Sequence, residues 1–112
     1  MAITNIVKLL DKSFDSKRNV IKISKHNTLS HELAKCKLCI MLKQDGVDFV
    51  TEAIFKNNKG RADVFLIDRL EVYEVLESET EEKFKKKQED YPIEVTVFGI
   101  RAKDILDDKF VL

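Results

Sequence analysis

The sequence predicts an α+β (α/β) domain with a mixed central sheet flanked by helices. Three observations predict it. The segment from Ser30 to Asp45 is apolar at helical spacing. Three segments rich in β-branched and aromatic residues come after it, joined by short connections. A strongly charged helical stretch then leads into a fourth strand-like segment. The order is helix, three strands, helix, strand, which layers helices on a sheet.

The 112 residues suit one domain, 1–112, with its core at about 30–98 and residues 1–28 as an N-terminal extension. The chain is 44% hydrophobic and 36% charged, enough apolar material for one packed core. Twenty basic and twenty acidic residues give a formal net charge of zero. That balance argues against a generic, basic nucleic-acid coat. It leaves room for a metal site, whose carboxylates would offset basic residues elsewhere. The N-terminus lacks the apolar stretch of a secretory leader, and the longest apolar run, Leu38 to Leu42, is too short to span a membrane. The expectation is a soluble, cytoplasmic protein.

Residues 3–14 place Ile3, Ile6, Val7, Leu10 and Phe14 at helical spacing. Val20 to Ser24 alternates apolar and polar side chains, as a short strand does. Ser30 is positioned to cap the next helix, and Glu32 in its first turn suits the helix dipole. That helix is apolar around much of its circumference, which predicts deep burial. Asp45-Gly46 ends it. Cys36 and Cys39 form a lone CxxC within it. A zinc site needs two more ligands, and only His26 and His31 are near. The two cysteines read better as small apolar residues on one helix face, without a disulfide.

The strand segments are Asp48 to Phe55, Arg61 to Ile67 and Leu70 to Leu76. Short connections predict antiparallel neighbours. Glu77 to Asp90 is a charged helix: Ser78 and Glu81 fit a capping box, and acidic residues precede lysines as the dipole prefers. Tyr91-Pro92 ends it. Pro92 to Phe98 reads as the fourth strand, with Ile93, Val95 and Val97 on one face. Arg101 to Asp107 reads as a last short helix.

Asp63 lies in the second strand, within GRADVFLID, and Glu74 in the third, within VYEVLESE. Together with the element order, these acids resemble the αβββαβ core of the PD-(D/E)xK, or restriction-endonuclease-like, nuclease superfamily. The resemblance covers roughly residues 30–98. It implies a metal-dependent endonuclease that hydrolyses DNA phosphodiester bonds. Mg²⁺ or Mn²⁺ would be held by Asp63 and Glu74, with Glu52 as a further acidic candidate and Glu32 at the helix position. A hard cation suits such carboxylates, and it would activate water and polarise phosphate.

One position departs from the pattern. Two residues after Glu74, where the family carries lysine, stands Leu76. The catalytic lysine then has to come from the next helix. Lys87 is the first candidate, because the stretch from Lys87 to Tyr91-Pro92 resembles the segment C-terminal to the site in many such nucleases. Lys83 and Lys86 are alternatives. The other reading is a catalytically inactive nuclease-fold protein that binds nucleic acid or protein. Each residue also has a plain structural role open to it. Asp63 could pair with Arg61 or Arg69, Glu74 could face solvent, and Glu32 could serve the helix N-terminus. Glu52 could pair with a lysine, Lys87 could be a solvated lysine, and Glu77 and Glu79 could simply start a helix. Lys56, Lys59 and Arg61 could contact phosphate. So small a domain offers little DNA-binding surface, which predicts a homodimer.

Overall fold

A computed structural model describes residues 17–55 and 61–112. The elements are α1 (Leu29–Gln44), β1 (Phe49–Ile54), β2 (Arg61–Leu66), β3 (Glu71–Leu76), α2 (Glu81–Gln88), β4 (Thr96–Arg101) and α3 (Ala102–Leu106). The expected order of helix, three strands, helix and strand is present. The sheet order is β1-β2-β3-β4, with β1–β2 and β2–β3 antiparallel and β3–β4 parallel. Parallel neighbours cannot be joined by a hairpin, so the chain crosses over between them, and α2 lies in that crossover. No helix among the described residues is long and apolar enough to cross a membrane.

Strand alternation divides the apolar residues into two clusters. Phe65 and Val72 join Val50, Phe55 and Tyr91 in one. Val64, Leu66, Tyr73 and Val75 join Leu38, Cys39 and Leu42 of α1 and Ile105 of α3 in the other. The polar residues of β2 and β3 are therefore set against a nearly complete apolar background.

Several boundaries differ from expectation. Thr28, not Ser30, caps α1, its hydroxyl accepting the His31 N–H. The buried stripe of α1 is also less apolar than its composition suggests. It includes His31, Glu32 and Lys35, while Leu33 and Ile40 are exposed. Thr80, not Ser78, caps α2 by accepting the Lys83 N–H. Val20 to Ser24 does not form a strand. A single bridge pairs Arg18 with Val50. Beyond it, Thr51 Oγ1 accepts the Lys22 N–H at 2.8 Å and donates to the Val20 carbonyl at 2.9 Å, so one side chain replaces the backbone ladder. β4 begins at Thr96 rather than Pro92, because Val95 N–H turns back onto the Pro92 carbonyl. Ile93 consequently lies 98% exposed while Val95 is buried. The expected helix at residues 3–14 and the turn carrying Lys56 and Lys59 lie outside the described residues.

Candidate active site

The β2–β3 ladder places Val64 opposite Tyr73 and Phe65 opposite Val72. The same register would set Asp63 opposite Glu74, but the backbone pairing stops one step before it. Asp63 fills the gap with its side chain: Oδ2 accepts the Val75 N–H at 2.8 Å. A carboxylate thus does the work of a carbonyl, and an acid in an apolar strand acquires a structural reason to be there. The first turn of α1 sets His31 against the same oxygen, Nε2 to Oδ2 being 3.3 Å. This replaces the expected pairing of Asp63 with Arg61 or Arg69.

Glu74 is 0% exposed, so it does not face solvent. One carboxyl oxygen accepts from the Tyr91 hydroxyl, and Oε2 lies 3.4 Å from Lys87 Nζ. The Lys87 side chain is 47% exposed, so its stem runs from solvent to a buried acid. Lys83 and Lys86 are exposed on the same helix. Glu74 and Asp63 are near enough for each to act on the other's ionisation. Two buried carboxyls in contact cannot both ionise at low cost. Burial first, and then the Asp63 charge, push Glu74 up to about 9. Burial also opposes ionisation of Asp63, but hydrogen bonds from His31, Glu74 and Val75 outweigh it and hold Asp63 below its usual value. At neutral pH and without a cation, Glu74 therefore keeps its proton beside the Asp63 carboxylate. The hydrogen bond to Asp63 raises His31, against the effect of burial.

Glu32 and Glu52 gather elsewhere, on the buried Lys35. Lys35 Nζ is 2.7 Å from Glu32 Oε2 and 3.7 Å from Glu52 Oε2, and it donates to the Lys22 carbonyl at 2.7 Å. Glu32 Oε1 also accepts the Ser24 N–H at 2.7 Å, so Glu32 does more than serve the helix dipole. His31 joins the two groups, with Nδ1 3.6 Å from Glu32 Oε2 and Nε2 at Asp63. Glu77, exposed at the end of β3, accepts from the hydroxyls of Thr28 and Ser30. Arg61 is exposed at the start of β2.

Among the candidates, the structure brings together Asp63, Glu74 and Lys87, and it sets Glu32 and Glu52 in a neighbouring cluster. Three contributors escape sequence reasoning. There His31 counts only as a zinc ligand, Tyr91 only as a helix terminator and part of the segment that resembles the family's, and Lys35 not at all. The available signal for His31 is its place beside Glu32 at the helix start. Cys36 and Cys39 are free thiols, and burial pushes Cys39 up to about 12. That makes it an inert thiol.

No group of three or more His, Cys, Asp and Glu side chains among the described residues is arranged to hold a metal ion. The donor set at the Asp63–Glu74 pair is two carboxylates, which fits the Mg²⁺ habit of taking one or two protein carboxylates and completing its shell with water and phosphate. In the absence of a cation, the proton on Glu74 lowers the charge of the pair, as a bound ion would do instead. No family model matches the chain, and no curated protein or solved structure matches it.

Proposed function

We propose that the chain is a metal-dependent endonuclease of the PD-(D/E)xK type, hydrolysing DNA phosphodiester bonds with a lysine supplied by α2. The observation that carries this reading is the convergence of Asp63, Glu74 and Lys87, with Lys87 Nζ 3.4 Å from Glu74 Oε2. Asp63 and Glu74 would hold Mg²⁺ or Mn²⁺, which when bound polarises phosphate and lowers the pKa of water. His31 and the Val75 N–H fix the Asp63 carboxylate, and the Tyr91 hydroxyl fixes that of Glu74. Lys87 is tethered at its solvent end only by its own stem. It is free to turn from Glu74 to the charge that develops on a phosphate. A homodimer would supply the DNA-binding surface that one small domain lacks.

A second reading rests on the same residues. Glu74 is fully buried and bonded to both Tyr91 and Lys87, which would also suit an inactive nuclease fold that binds nucleic acid or protein without an ion. One experiment separates the two. The protein is incubated with Mn²⁺ or Mg²⁺ and linear, single-stranded and branched DNA, and ion binding is followed by calorimetry. Cleavage that disappears in Asp63→Ala and Glu74→Ala is the expected result. Absence of both ion binding and cleavage on every substrate sinks the enzyme reading.

A further inference from the structure

Four acids lie at this end of the sheet: Glu32, Glu52, Asp63 and Glu74, all buried. Two of them already have a cation of their own. Lys35 is 0% exposed, and its ammonium sits between Glu32 Oε2 at 2.7 Å and Glu52 Oε2 at 3.7 Å, with Glu32 Oε1 at 3.1 Å. An ammonium has three protons to donate. One goes to the Lys22 carbonyl at 2.7 Å, which leaves two for the carboxylates. We infer that Lys35 is a built-in counter-cation which fixes the ion requirement at one divalent ion per chain, bound at Asp63 and Glu74, with none at Glu32 and Glu52. This rests on the metal-dependent reading of the Asp63–Glu74 pair.

The physical case is one of space and charge. A divalent ion shared by Glu32 and Glu52 would have to occupy the volume that Nζ fills. Lys35 has no exposed path along which to withdraw, and its release would strand a charge in the interior. Lys87 contrasts with it. Its side chain is 47% exposed, so it can leave Glu74 for solvent or for phosphate when an ion arrives. The two lysines therefore answer differently to the same ion, one yielding and one fixed. His31, with Nε2 at Asp63 and Nδ1 facing Glu32, marks the boundary between the pair whose lysine reaches solvent and the pair whose lysine does not.

Calorimetric titration of the full chain with Mn²⁺ tests this. The wild-type protein is expected to bind one ion, Asp63→Asn/Glu74→Gln none, and Lys35→Met two. Circular dichroism reports whether each variant is folded. Two ions on the wild type, or one retained by the double variant, overturn the inference while the nuclease reading survives. A folded Lys35→Met that still takes one ion also overturns it. If Lys35→Met does not fold, Glu52→Gln decides: it is expected to keep the wild-type ion at unchanged affinity, and loss of that ion or a Kd about tenfold weaker overturns the inference. A wild type that binds no ion and cleaves nothing removes the nuclease reading, and this inference with it.

Discussion

At the scale of the residue, the proton that burial and the Asp63 charge hold on Glu74 has a measurable consequence for the metal-free protein. The folded state holds Glu74 at about 9 against an ordinary 4.5. Between those values the folded chain binds a proton that the unfolded chain has lost, so stability falls as pH rises. The contribution is complete below about 4.5 and gone above about 9. Asp63 is shifted the other way, and its contribution is lost as pH falls below 3.8. Urea unfolding of the metal-free protein should therefore show falling stability from about pH 5 to about pH 9. Glu74→Gln should flatten that slope, since an amide of the same shape has no proton to lose. Parallel slopes for the two proteins would exclude a proton retained on Glu74. Tyr91→Phe leaves a buried oxygen of Glu74 without its donor and should cost about 1–3 kcal/mol in the same measurement. The two acids were legible in the sequence because a carboxylate in an apolar strand is conspicuous. His31 and Lys35 were not, because they sit on the buried stripe of a helix whose composition reads as apolar. Glu32 beside them on the helix, Glu52 on β1, Asp63 on β2 and the Lys22 carbonyl make that burial tolerable.

At the scale of the element, α2 is the weak point. None of its side chains is buried, and Thr80 caps it. Besides Lys87 at Glu74 and Gln88 Nε2, which donates to the Val97 carbonyl at 3.1 Å, its attachment to the sheet runs through Phe84, which lies over Gly99 of β4 beside Leu76. A methyl group at Gly99 would stand 2.6 Å from Leu76 Cδ1 and 2.9 Å from Phe84 Cζ. Gly99→Ala should therefore displace α2 at a cost of about 1–3 kcal/mol. On the proposed nuclease reading, in which Lys87 rides on that helix, the variant should lose turnover more than Mn²⁺ affinity. Thr80→Ala should cost about 1 kcal/mol and act in the same direction. Denaturant unfolding read beside kcat and ion affinity checks both, and an unchanged kcat in a destabilised Gly99→Ala would detach α2 from catalysis. The order of elements was legible from periodicity alone. The start of β4 was not, because PIEVTVF alternates well enough to be a strand throughout, and only the turn closed by Val95 on Pro92 delays it.

At the scale of the whole molecule, an ion that binds only the folded chain must stabilise all of it. At about one hundred times its Kd, Mn²⁺ should add about 2.7 kcal/mol. For a domain of this size that is a rise in Tm on the order of 10 °C. Asp63→Asn/Glu74→Gln should show no such rise. A scanning calorimeter run with and without Mn²⁺ makes the comparison, and equal rises in both proteins would move the ion away from the pair. The neutral overall charge, legible at once, said nothing of how charge is distributed. Acids cluster at one end of the sheet, each with a lysine, a histidine or another acid beside it.

The crossover that carries Lys87 also sets an order of assembly. Asp63 and Glu74 are eleven positions apart on two antiparallel strands, and a hairpin of that kind closes in about 1–10 μs. Their lysine arrives only when α2 and β4 have come round to lie parallel to β3, a slower, longer-range event. The acids should meet early in refolding and wait for Lys87. If the proposed nuclease reading holds, a stopped-flow experiment should show quenching by Mn²⁺ of a fluorophore placed near Glu74 before DNA cleavage sets in.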